Sequence, residues 1–305
     1  MAARVGIIGM GWVGSSVASS LLQSGVASEL LLADTKPGLA EGEALDLGHG
    51  ASFYPNATVR AASVEEMVDL DAVVVAAGRG GKPGQSRLDL LRDNVGLTRE
   101  IAQALRGLEG LLVMVTNPVD VLTQVAAEAS GLPPSRVLGT GTMLDTARLR
   151  QVLGRELSLE PRSIHAQVIG EHGDSAVVLW SGASIGGVSL RDWAGWTSER
   201  EDEIGTEVRT AAQSIIVRKG ATNHAIGLVT ARLLRWALRG ERRVLTVSRV
   251  QTGACGVDGV ALSLPAIVGR DGVQAVLQPR MDAAELEGLR RSAEVLREAH
   301  ARAVG

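Results

Sequence analysis

Val5-Gly6-Ile7-Ile8-Gly9-Met10-Gly11-Trp12-Val13-Gly14 reads as a short apolar strand that runs straight into a glycine turn of pattern G-x-G-x-x-G. Ser15 to Leu22 continue with small and apolar residues, the composition of a helix packed on a sheet. Glycines in such a turn let the chain bend sharply and let backbone N–H groups approach a pyrophosphate at the positive end of the helix. Leu30-Leu31-Leu32-Ala33 predicts a second strand that ends at Asp34. A carboxylate about twenty residues beyond the glycines is placed to accept hydrogen bonds from ribose hydroxyls and to repel a 2′-phosphate. The glycine pattern alone is a weak signal; strand, helix and acid in register predict a dinucleotide site.

Outward from this unit the alternation continues. Ala72 to Ala77, Leu111 to Val115 and Val137-Leu138 are apolar runs without polar interruption, as parallel strands covered on both faces require. Helical patterns such as Ala40 to Leu47 and Leu88 to Leu105 lie between them, and the alternation predicts a doubly wound α/β sheet of the Rossmann type. Ligands of such sheets sit beyond the carboxyl ends of the strands, so Gly9, Asp34, Gly78 and Asn117 are expected to line one crevice. After about residue 143 the pattern changes. Val244 to Ser248 and Gly259 to Leu264 read as antiparallel strands, and a long charged helix covers about Ser198 to Lys219. A final helix opens with a capping box, Asp282 and Glu285, and carries the stripe Leu286, Leu289, Ala293, Leu296 and Ala299. The expected division is a dinucleotide-binding domain, 1–143, and an α+β substrate domain, 144–305.

Bulk properties narrow the function. The chain has 305 residues, 45% hydrophobic and 21% charged, with a formal charge of −3. That balance gives no reason to expect nucleic acid or an anionic membrane as partner. Aromatics at 2% leave almost no base-stacking platform. Cys255 stands alone, which excludes an internal disulfide or a cysteine metal cluster and fits a reducing compartment. With no signal-like amino-terminal segment and no run of about 20 apolar residues, the expected location is the cytoplasm. No metal is expected.

Two polar stretches stand out. In Ile169-Gly170-Glu171-His172-Gly173-Asp174-Ser175 a histidine lies between glycines, flanked by the apolar runs His165 to Ile169 and Ala176 to Trp180, both read as strands. Histidine titrates near neutral pH and suits general acid–base chemistry; a turn-capping histidine is the plain alternative. Leu144 to Arg150 opens a helix on which Asp145 and Arg148 share a face while Arg150 points roughly the opposite way. A surface ion pair would explain that spacing equally well.

Together these pieces resemble the lactate/malate dehydrogenase family along nearly the whole chain: the Gly9 to Gly14 loop, Asp34, Lys82 to Arg87, Thr116-Asn117-Pro118, Leu144 to Arg150, Ile169 to Ser175 and Lys219 to Thr222. The resemblance implies an oxidoreductase that uses NAD to interconvert a short 2-oxo acid and its L-2-hydroxy acid. It implies that His172 carries the proton, Asp145 holds its imidazole, Arg148 grips the substrate carboxylate, and Arg87, on a lid spanning Gly78 to Gly84 and beyond, polarises the carbonyl. Gly9, Gly11, Gly14, Asp34, Gly78, Asn117 and Ile226 would contact the cofactor; Asn117, Thr222 and Gly81 would border the substrate. Thr222 points to the lactate branch. Gly81 departs from both branches, where glutamine or arginine is typical, so malate or a broader set of acids stands as the alternative. Arg150 and His165 match positions that bind a sugar bisphosphate effector between subunits in bacterial relatives, and the resemblance favours a homotetramer or dimer. NAD-dependent glycosidases, which resemble a pattern with cysteine and histidine metal ligands, fit poorly because Thr116 precedes Asn117-Pro118 and the only cysteine, Cys255, is far along the chain. A non-catalytic nucleotide sensor fits poorly because the chemical residues are all present.

Overall fold

The computed structural model describes residues 3–79 and 86–304, with the Arg87 side chain excepted. The amino-terminal half runs β1 (Ala3–Ile8), α1 (Trp12–Ser24), β2 (Ala27–Ala33), α2 (Leu39–His49), β3 (Thr58–Ala61), β4 (Ala72–Val75), α3 (Arg87–Ala104), β5 (Leu111–Met114), α4 (Val119–Ser130) and β6 (Val137–Gly139). The rest runs α5 (Met143–Leu157), β7 (Ile164–His165), β8 (Val168–Ile169), β9 (Val177–Val178), β10 (Ser184–Ile185), β11 (Val188–Ser189), α6 (Ser198–Lys219), α7 (His224–Leu238), β12 (Arg243–Thr252), β13 (Asp258–Gly269), β14 (Gly272–Val276) and α8 (Ala283–Val304).

The main sheet has the order β14-β13-β12-β6-β5-β4-β1-β2-β3. Strands β1 to β6 pair in parallel, which is the doubly wound sheet expected from the apolar runs. The expected antiparallel pairing of the later strands is also present, but β12 to β14 do not form a separate sheet. Ser248 of β12 pairs antiparallel with Gly139 of β6, so they extend the parallel sheet. Successive residues of each inner strand serve opposite faces. Val73 and Val75 pack with α3, α4 and α8 on one side; Ala72 and Val74 pack with α1 and α7 on the other. Fully burying such side chains is worth about 1.5–3 kcal/mol each, and both faces contribute. The order reverses between β1 and β4, and this switch point opens the crevice that ligands of such sheets use.

A smaller apolar cluster joins α5, α6 and the short strands, with the ring centroids of Trp180 and Trp196 5.9 Å apart. The capping box at α8 forms as expected: Glu285 N–H donates to Asp282 Oδ1 and Asp282 N–H to Glu285 Oε2, each at 2.9 Å. Of its stripe, Leu289, Ala293 and Leu296 are buried in the main core.

One expectation needs correction. His165 to Ile169 is not one strand. It splits into β7, which pairs with β10, and β8, which pairs with β9 in another sheet. Side chains of α5 take the backbone groups a continuous ladder would use: Arg150 Nε donates to Ala166 O at 3.0 Å, and Thr146 Oγ1 accepts from Val168 N–H at 3.0 Å. Ala176 to Trp180 likewise keeps only Val177–Val178 as strand.

Candidate active site

Two hollows meet the expectations differently. The first, about 620 Å³, lies over the switch point and is lined by Gly9, Gly11, Asp34, Lys36, Gly78 and Arg79 among others. Gly9 has φ +96°, and a Cβ there would come within 2.3 Å of the Ala77 amide nitrogen. A Cβ on Gly14 would meet the Gly9 carbonyl oxygen at 1.9 Å, so this glycine lets α1 press against the strand end. Gly11 differs: a Cβ there meets nothing within 4 Å, which leaves its backbone open to a ligand. Asp34 Oδ2 accepts from Met10 N–H at 2.7 Å and Oδ1 from Lys36 N–H at 2.8 Å, so the acid also fixes the glycine turn. Bare turn backbone at a helix start with a carboxylate beyond it fits the diphosphate and ribose of a dinucleotide.

The second hollow, about 380 Å³, contains Asn117, Asp145, Arg148 and His172, and α6 supplies its outer wall through Arg209, Gln213 and Ile216. Asn117, expected to border both the cofactor and the substrate, lines this cleft, because the chain after β5 turns at once into α4, which is tied to the His172 loop.

The geometry of the pair follows from how α5 is stitched down. Thr142 N–H donates to Ser263 Oγ at 3.0 Å, and Thr142 Oγ1 donates to Val168 O at 2.6 Å. The first turn of α5 therefore lies against β8, and Asp145 faces the loop that follows it. That loop is held by Gly170, whose N–H donates to Ser263 O at 2.8 Å and which accepts Ser263 N–H at 3.0 Å. Its φ of +82° and a Cβ contact of 2.6 Å to Ser292 Oγ both require glycine. The side chains of Glu171 and Ser175 are hydrogen-bonded to each other and brace the far side.

As a result Asp145 Oδ2 meets His172 Nδ1 at 2.5 Å, and Arg148 Nη1 donates to Asp145 Oδ1 at 2.9 Å. Burial works against a charge on His172, yet the hydrogen bond and negative charge of Asp145, helped by Asp120, hold its pKa above the ordinary histidine value; Arg148 pulls the other way. Asp145 is held below the usual carboxylate range: burial opposes this, but His172 and Arg148 prevail. With Nδ1 engaged, Nε2 is the nitrogen left for a ligand. Such a site can present an acid to a developing alkoxide and a guanidinium to an anion.

The other candidate residues fall as follows. Arg150 turns away from the cleft, as helical spacing requires, and lines a separate cavity of about 230 Å³ with Arg232 and Gln167. His165 is exposed on β7 and does not line that cavity. Thr222, between α6 and α7, is half-buried outside the lining of the cleft. Ile226 packs against the core on the α1 side. Gly81 and residues 80–85, most of the expected lid, lie outside the described residues; Arg87 begins α3. Sequence reasoning missed the α6 wall and Asp120. A lone acid in the first turn of an otherwise apolar helix was the readable signal for the latter. Among the described residues no group of three or more His, Cys, Asp or Glu could hold a metal, and no helix is long and apolar enough to cross a membrane.

A switch-point crevice for a dinucleotide beside a partly buried histidine–aspartate–arginine cleft defines a dehydrogenase of the doubly wound class. The chain belongs to the lactate/malate dehydrogenase family: its NAD binding domain matches residues 3–139 and its alpha/beta C-terminal domain residues 142–304. An L-lactate dehydrogenase of Thermus aquaticus is 45% identical over 96% of this chain and 97% of the relative. L-lactate dehydrogenase 2 of Enterococcus faecalis is 42% identical over 97% and 95%. Among solved structures, the minor L-lactate dehydrogenase of Enterococcus mundtii in its ligands-bound form superposes with TM-score 0.96 at 37% identity, covering 98% of each chain.

Proposed function

We propose that this chain interconverts pyruvate and L-lactate with NAD, the observation that carries it being Asp145–His172–Arg148 in one cleft beside the dinucleotide crevice. Gly9, Gly11, Asp34 and Gly78 would hold NAD, which when bound would supply the hydride for reduction of the keto carbon or accept it in the reverse direction. Arg148 binds the substrate carboxylate, for which its guanidinium keeps donors beyond the one given to Asp145. His172 donates a proton to the carbonyl oxygen in the reducing direction, and Asp145 stabilises the imidazolium and fixes its ring. Arg87 polarises the carbonyl and Gly81 borders the substrate side chain, roles that rest on the family resemblance. Residues 1–143 form the cofactor half and 144–305 the substrate half of a cytoplasmic homotetramer or dimer.

NADH oxidation is the direct test. Pyruvate is expected to be turned over with L-lactate as product; no turnover of pyruvate or any other 2-oxo acid overturns the reading. In the same assay at low pyruvate, fructose 1,6-bisphosphate is expected to raise the rate and favour the larger species in sedimentation, through Arg150 and His165 between subunits. A flat response in both removes the effector.

Asp34→Ser is expected to relax the preference for NADH over NADPH by roughly 10- to 100-fold, since hydrogen bonds to a charged group are worth ~1.5–3 kcal/mol. Paired kcat/KM values for the two cofactors decide it, and an unchanged ratio removes the ribose role.

A further inference from the structure

The chain leaves β2 through Asp34-Thr35-Lys36, and the dinucleotide crevice continues past the acid. Strands β1 and β3 flank β2 in parallel, so this turn stands between the glycine turn that follows β1 and Ala62-Ser63, which follow β3. Thr35, Lys36 and Ser63 all line the crevice with Asp34. Both oxygens of Asp34 are held by backbone, Oδ2 by Met10 N–H and Oδ1 by Lys36 N–H. The second bond closes a tight turn that keeps Lys36 beside the carboxylate, yet its ammonium has no ion pair or hydrogen bond among the described residues. The charged residues of the lining are two acids, Asp34 and Glu100, and two cations, Lys36 and Arg79. Arg79 follows β4, on the other side of the switch point, and its Nη1 lies 4.0 Å from Asp93 Oδ2. Lys36 is therefore the unclaimed cation at the ribose end. A ribose hydroxyl needs no cation. A phosphomonoester there would: it carries about −1.5 to −2 charges at neutral pH and three acceptor oxygens.

We infer that Lys36 sets cofactor choice: its ammonium, with the Thr35 and Ser63 hydroxyls, receives the 2′-phosphate of NADPH, so that Asp34 disfavours this cofactor without excluding it. This rests on the crevice being the dinucleotide site. A carboxylate at this place repels a 2′-phosphate and a neighbouring cation accommodates one. The two cofactors differ by that phosphate alone, so the effect of Lys36 is read in the ratio of their affinities and not in either one. Lys36 is exposed, so its contribution is screened by salt and amounts to a few-fold, not a thousandfold. It also supplies what a relaxed enzyme would bind with, because Asp34→Ser removes the repulsion and leaves the cation in place.

The emission of the reduced nicotinamide, titrated into the full chain without a 2-oxo acid, reads the binding of either cofactor without turnover. The parent is expected to bind NADPH roughly 10- to 100-fold more weakly than NADH. Lys36→Ala is expected to raise the ratio of Kd for NADPH to Kd for NADH by a further factor of about 3 to 10, and Lys36→Arg, which keeps the charge, to hold it within about twofold of the parent. The gap between parent and Lys36→Ala should shrink as salt is raised. A ratio that stays level or falls in Lys36→Ala overturns the inference, whatever the individual affinities do, and so does a gap that salt leaves untouched. A parent that binds NADH but shows no NADPH binding overturns it as well, with the dinucleotide reading intact. A parent that binds neither cofactor removes that reading and this inference together.

Discussion

His172→Asn is expected to lower kcat for pyruvate reduction by about 10²- to 10⁴-fold, the range a positioned general acid contributes. Asparagine keeps the size and one hydrogen bond to Asp145 but has no proton to give. NADH affinity should be retained, because His172 lines the cleft and not the dinucleotide crevice. The direction of the pH dependence follows from the raised pKa of the parent histidine. Reduction needs the protonated ring, so it holds below that pKa and is lost as pH rises through it. Lactate oxidation needs the neutral ring and should rise over the same interval. Stopped-flow or steady-state rates in both directions check this; a variant that reduces pyruvate at the parent rate, with the alkaline limb intact, removes His172 from the chemistry.

What could be read in the sequence divides along physical lines. Parallel strands buried on both faces have to be apolar throughout, so β1, β2, β4, β5 and β6 were visible as runs. β3 was not: it is an edge strand paired only to β2, and its exposed and half-buried residues give no such run. Helix α4 was invisible for the opposite reason. Nearly every residue in it is buried, polar ones included, so the stripe Leu122, Val125, Ala126 and Ala129 does not mark its one buried face. The split of His165 to Ile169 depends on Thr146 and Arg150 reaching back from α5, a tertiary capture of backbone groups that periodicity cannot register.

The site shows the same boundary. Asp145 and Arg148 were readable as a shared helical face, and the glycines around His172 as room for a ligand. Their union rested on the family resemblance alone, because the residues are 27 apart and meet only once α5 is pinned to β8 and Gly170 to β13. The α6 wall was read as a charged helix and nothing more, since Arg209, Gln213 and Ile216 acquire a common purpose only when the helix is laid across the cleft. Strand ends place Gly9, Asp34 and Gly78 on the dinucleotide crevice, and the tie between α4 and the histidine loop brings Asn117, at the end of β5, to the cleft beside it.

Arg148→Gln is expected to cut kcat/KM for pyruvate by about 10²- to 10³-fold, since an unpaired carboxylate in a partly buried site costs ~2–5 kcal/mol. Two further readouts separate this from general damage. Arg148 is a cation that lowers the pKa of His172, and it also draws on Asp145 through a 2.9 Å bond. Its removal leaves Asp145 to serve the imidazole alone, so the alkaline limb of pyruvate reduction should move to higher pH. Loss of Asp145 or Asp120 would move it down. The second readout is the substrate. A small ketone without a carboxylate never uses the guanidinium, so its slow reduction should be nearly the same in parent and variant, and the preference for pyruvate over that ketone should collapse by the full factor. Equal losses on both substrates, with the alkaline limb unmoved, would mean that Arg148 holds the helix rather than the substrate, and the carboxylate would then have to be gripped from another wall of the cleft.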